Sequence, residues 1–232
     1  MADPTCDDAV KVSTVAAQTR DQGLTVVSIR RVPQGRYVVM DGDGNAVGTE
    51  DFRCAPGPAG WRYFSEISTR ERSPHQEIVD LVVDRSWNPV RVKIATGSHD
   101  LLLTAEGDAL RGSLDGDVVT APWGPAWHVD YLSPAFNAVT ANRLDGTTEI
   151  DVVYLEPVMC TPTEERQRYE LIGDEEVATP VGRFAARRWR YTALSTGWSR
   201  ELWVAGDVVV RYEGLFELEE YEAGASGPRP MA

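Results

Sequence analysis

The sequence predicts an all-β, mainly antiparallel protein. It reads as a single strongly curved meander sheet, or a wide barrel or half-barrel, with a concave ligand cavity and at most one or two short helices. Three observations predict this. Apolar residues recur with period two, turn-forming clusters punctuate the chain about every ten residues, and no helical stripes alternate with the strands.

The elements follow in order. Residues 1–23 read as an N-terminal extension, in which residues 7–19 form at most one short helix with little amphipathic order. Residues 24–222 read as one domain. "RYVVM" and "GTEDF" flank the turn "DGDG" as a hairpin. "WRYFSEI", "IVDLVV" and "DLLLT" are further runs of β-branched and aromatic residues. "VRVKIA" places Val90, Val92 and Ile94 on one face and Arg91 and Lys93 on the other. "WHVDY" reads as a strand, and "SPAFNAVTANRL" as a long ordered connection, since it has neither β-branched pairs nor a helical stripe. "EIDVVYL" sets Ile150, Val152 and Tyr154 against Glu149 and Asp151. Residues 163–168 are expected to form a single helical turn, before the strands "FAARRWRY", "ELWV" and "DVVVRY". The tail "AGASGPRPMA" reads as disordered. About a dozen strands exceed what a flat open sheet carries, so the sheet curls or closes, and its concavity admits a ligand where side chains do not fill it.

Composition narrows the partners. The chain has 232 residues, enough for one large domain. A formal net charge of −13 and a pI near 4.7 repel phosphate backbones, so nucleic acid is not expected. No apolar run approaches the roughly 20 residues of a spanning helix, and the first residues do not read as a signal peptide. The expectation is a cytoplasmic protein without membrane insertion, a monomer or a homodimer paired through strand edges. Cys6, Cys54 and Cys160 are odd in number and far apart, which predicts reduced thiols.

Several motifs fail on inspection. "DGDGNAVGTEDF" places Asp41, Asp43 and Asn45 at calcium-loop positions, but Ala46 stands where the loop needs glycine and Phe52 where it needs a bidentate glutamate. A P-loop, HExxH, CxxC and GxSxG are all absent. The three histidines, His75, His99 and His128, are too dispersed for a metal site, and no cofactor is expected.

The stretch "WHVDYLSPAFNAVTANRL" is the candidate site. On a strand, His128 and Asp130 share a face about 6.5 Å apart, close enough for the carboxylate to raise the imidazole pKa. His128 is then the candidate acid or base, Asp130 its orienter, and Tyr131 or Arg143 the group that stabilises negative charge. Trp123, Trp127, Phe136, Asn137, Asn142 and Arg143 are candidate ligand-binding residues around it. Of the seven tryptophans, most are expected to staple core and rim.

The runs "YLSPAFNAVTANRL", "EIDVVYL", "RQRYEL" and "VVVRYEGLF" resemble a bacterial glycolipid-binding family. Its pattern has a Phe-Thr-Asn-Thr-like loop followed by arginines and a leucine, then Arg-x-x-Tyr, then Tyr-Pro-Gly-Leu. The matching residues are Phe136, Asn137, Arg143, Leu144, Arg166, Tyr169, Tyr212, Gly214 and Leu215. Ala138, Asn142 and Glu213 depart from the pattern, standing where a threonine, an arginine pair and a proline belong. "RYVVMDGDGNAVGTEDF" and "TPVGRFAARRWRY" are also similar to curved-sheet bacterial domains of unknown function. The resemblance spans residues 61–216 and implies a curved sheet, a lipid-like ligand, and Tyr169 and Tyr212 as further binding residues.

Two functional classes remain. One is a binding protein for an amphipathic, lipid-like or polyketide-like molecule. The other is a cofactor-free enzyme on the same scaffold, a cyclase, isomerase, lyase or hydrolase working through His128 and Asp130.

Overall fold

The structure, a computed structural model, describes residues 32–57, 59–70 and 75–231. The expected N-terminal extension and its helix lie outside these residues, as does Cys6. The first meander comprises β1 (Gln34–Met40), β2 (Ala46–Gly57), β3 (Gly60–Thr69), β4 (His75–Asp84), β5 (Pro89–Ala95), β6 (Asp100–Glu106), β7 (Ala109–Leu114) and β8 (Asp117–Pro122). Next come β9 (Trp127–Asp130) and the helix α1 (Pro134–Arg143). The second meander comprises β10 (Thr148–Leu155), β11 (Pro162–Thr179), β12 (Gly182–Ala193), β13 (Ser199–Ala205), β14 (Val208–Tyr212) and β15 (Phe216–Glu222).

All fifteen strands form one sheet, in the order β8 to β1, then β15 down to β9. The long-range pairing of β1 with β15 joins the two meanders. Every pair is antiparallel except β9 with β10, whose parallel pairing requires a crossover, supplied by α1. The two edge strands, β8 and β9, are joined by residues 123–126 alone, a link that spans at most about 18 Å. A flat sheet of this size would hold its edges roughly 67 Å apart. The sheet therefore curls into a nearly closed barrel.

The period-two strands form as the sequence predicts, and the turn at Asp41 explains the false calcium motif. The Asp41 carboxylate accepts from the Asn45 side chain and from the backbone N–H groups of Asp43 and Asn45, so its own turn occupies it.

Four expectations need correction. Residues 163–168 belong to β11 and pair in register with β10. Val90 is exposed, because a register shift between Val82 and Val83 takes it out of the alternation that buries Val92 and Ile94. Residues 223–231, expected as a disordered tail, fold back. Met231 N donates to Arg183 O, and Pro230 rests against Gly182, where a Cβ would lie only 2.8 Å from the proline ring.

The fourth correction is the helix. "SPAFNAVTANRL" is not a loop; residues 134–141 form the buried body of α1. Ser133 at the N-cap is extended and Pro134 opens the first turn, a favourable start. The helix is buried on all sides, so it carries no apolar stripe that periodicity detects. It lies within the curl of the sheet, touching β9 through Thr140 and β11 through Asn137.

A chain of aromatic rings lines the interior. Trp87, Trp61, Tyr63, Phe52, Tyr37 and Phe216 follow one another with ring centroids 4.7–6.2 Å apart. Tyr212, Tyr191 and Trp198 continue it. No helix among the described residues is long and apolar enough to cross a membrane.

Candidate functional site

Two adjoining cavities open beside the N-terminus of α1. The larger, about 300 Å³, is lined by Asp130, Asn137, Tyr191, Trp198 and Tyr212 among others. The smaller, about 160 Å³, is lined by Glu77, Ile67 and Val47. Leu132, Leu215 and Phe216 border both and form the partition.

Asp130 is the polar anchor of the larger cavity. Gln167 Nε2 donates to its Oδ2 at 2.7 Å, and the Tyr191 phenol and Tyr131 backbone N–H also reach it. Burial disfavours the charged form and pushes the carboxyl up to about 6, against the opposing pull of these hydrogen bonds.

A second acidic group lies beneath the cavity wall. Tyr63 and Ser133 hydroxyls donate to Glu50 Oε1 at 2.8 and 2.7 Å. Burial raises this carboxyl to about 7, the neighbouring charge of Glu77 adding to it. The Tyr131 hydroxyl donates to Glu77 Oε2 at 2.5 Å. Tyr131 and Ser133 line the larger cavity, so its wall is tied directly to both glutamates. Because the Ser133 hydroxyl is committed to Glu50, it makes no side-chain cap on α1.

The expected His128–Asp130 pair does not form a hydrogen bond. His128 Nδ1 lies 3.3 Å from Thr140 Oγ1 on α1, while Asp130 is held by Gln167. The expected upward shift is reversed: burial, then the positive charge of Arg143, lower the imidazole to about 3. His128 does not line either cavity.

The chain shares its fold with proteins of known structure. It is similar to a protein of the DUF1089 family from Pseudomonas aeruginosa, with 20% identity and a TM-score of 0.51 over 72% of this chain and 91% of that one. The likeness is one of fold. A weaker one links it to a β-barrel-like protein of the domain of unknown function DUF1849 from Brucella abortus, with 10% identity and a TM-score of 0.45 over 84% of this chain and 98% of that one. No family model matches the sequence, and no curated protein does.

The curled sheet sorts the residues singled out in the sequence. Asp130, Tyr131, Asn137 and Tyr212 line the larger cavity. Tyr169 stands behind it, accepting from Asn137 Nδ2 at 2.9 Å, and Phe136 packs edge-on to Tyr131. The others have different work. Arg143 donates to the carbonyls of Trp127 and Pro125 and lies over the Trp123 ring, so Arg143, Trp123 and Trp127 fasten the seam between β8 and β9. Asn142 joins α1 to the β13–β14 turn by donating to Gly206 O. Glu50, Glu77, Tyr191 and Trp198 were missed. The glutamates carried a legible signal: Glu50 shares strand parity with Phe52 and Cys54, and Glu77 with Val79 and Leu81, which puts an acid on an apolar face.

Proposed function

We propose that the barrel binds an amphipathic small molecule in the paired cavities beside α1. The observation that carries this reading is a concave, largely aromatic and apolar space with a few convergent polar groups at one wall, the usual makeup of a small-molecule site. The sequence resemblance to a glycolipid-binding family supports a lipid-like apolar part. Asp130, Tyr131, Asn137 and Tyr212 would meet the polar end, and Leu132, Leu215 and Phe216 the chain.

A second reading has one specific observation behind it. A carboxyl near 6 in an apolar cavity, bonded to a phenol, is placed to exchange a proton with a bound substrate at neutral pH. In a cofactor-free enzyme of this kind Asp130 accepts the proton as a base and returns it, with Tyr191 and Tyr131 beside it. His128, neutral and away from the cavity, would orient α1 through Thr140.

Native mass spectrometry of the freshly purified protein tests the binding reading. The expected result is a discrete extra mass that leaves on denaturation and is absent from Ala193→Trp, which fills the cavity from β12. An empty wild-type protein whose tryptophan fluorescence responds to no amphipathic probe overturns it.

A further inference from the structure

The charge of the cavity lining deepens this reading and rests on it. Asp130 is 8% exposed, and its partners are all neutral: the Gln167 amide, the Tyr191 phenol and the Tyr131 backbone N–H. A carboxyl this buried is ordinarily paired with a cation. A carboxylate accepts about four hydrogen bonds, so these three leave capacity for one more. Glu165 also lines the cavity, and among the described residues no lysine, arginine or histidine does. The smaller cavity is also lined by two acids, Glu77 and Asp41, and among the described residues by no basic side chain.

Three aromatic rings stand beside the Asp130 carboxyl. Tyr191 stands edge-on to Trp198 at 5.7 Å and to Tyr212 at 6.5 Å, and all three border the space that Asp130 faces. Aromatic faces carry partial negative charge, and a set of them around a site attracts a cation, most strongly where water is excluded. Arg200 holds its guanidinium 5.1 Å from the Trp198 centroid but does not line the cavity. An anionic head would meet carboxylates and no counter-charge. A neutral head would leave Asp130 as it is.

We infer that the ligand carries an organic ammonium group, seated between Asp130 and the rings of Tyr191, Trp198 and Tyr212. Its apolar part extends along Leu132, Leu215 and Phe216 toward the smaller cavity. The ammonium supplies the missing counter-charge and takes the remaining position on the carboxylate by contact or hydrogen bond.

Three probes with one alkyl chain test this: hexyltrimethylammonium, hexyl glucoside and hexanoate, titrated into the full-length protein by calorimetry at pH 7.5. The ammonium is expected to bind roughly tenfold to thirtyfold more tightly than the glucoside, with hexanoate weakest. Asp130→Asn is expected to erase that preference. Trp198→Leu, at a position 37% exposed and therefore tolerant of change, removes a ring face while staying apolar and is expected to reduce it. Glucoside or hexanoate binding as tightly as the ammonium overturns the ammonium assignment and leaves the binding reading standing. So does a preference that survives both substitutions. If none of the three binds, the binding reading fails, and the assignment with it.

Discussion

Glu50→Gln should make the protein more stable at pH 8 and leave it nearly unchanged at pH 4.5. Glu50 is fully buried, and its carboxyl is raised from 4.5 to about 7. The folded state therefore keeps this proton over a range where the unfolded chain has lost it. That contribution to stability is fully present below about pH 4.5 and disappears as the pH rises through 7. A shift of this size corresponds to about 3 kcal/mol, because each unit is worth about 1.4 kcal/mol. Glutamine keeps the shape and an oxygen that accepts from Tyr63 and Ser133, but has no charge to bury. Urea unfolding followed by tryptophan fluorescence, at several pH values, yields the difference between variant and wild type. It should grow from near zero at pH 4.5 to about 3 kcal/mol at pH 8. Taking the difference matters, because His128 and Asp130 shape the overall profile in opposite directions. His128, lowered to about 3, makes stability rise with pH between 3 and 6.5; Asp130, raised to about 6, makes it fall between 3.8 and 6. A difference that is flat with pH, or largest in acid, would refute the burial argument.

Two further outcomes are expected. The His128 imidazole should show no titration between pH 5 and 8 by NMR, since burial and Arg143 hold it near 3; a midpoint close to 6.5 would show that the ring is solvated. Phe136→Ala should cost about 3–5 kcal/mol in chemical denaturation, because the ring is 1% exposed and wedged between α1 and Tyr131. A cost under about 1 kcal/mol would mean that α1 does not pack as described.

The sheet was legible because its signals are local. Alternation in "WRYFSEI" buries Trp61, Tyr63, Ser65 and Ile67, and "DGDG" turns the chain through two glycines with φ of 94° and 90°. The helix was not legible. A helix surrounded by protein needs no polar face, and Ser133, whose spacing suits a cap, gives its hydroxyl to Glu50 on β2. The candidate site divides along the same line. Asp130 stood out as a polar group in an apolar run, but its bonding partner Gln167 lies 37 residues away on β11. The pairing of His128 with Asp130 follows from strand spacing alone, yet Thr140 and Arg143 on α1 decide the environment of the imidazole.

The sequence by itself determined the all-β class, the turns and the strand faces, because backbone preference and period-two burial act between residues a few positions apart. Only the tertiary structure decided the joining of the two meanders through β1 and β15, the placing of α1 within the sheet, and the charge state of the cavity wall. That joining depends on pairing between strands far apart in the chain, and a carboxyl's pKa on how completely distant segments exclude water from it. Neither quantity exists until those segments meet.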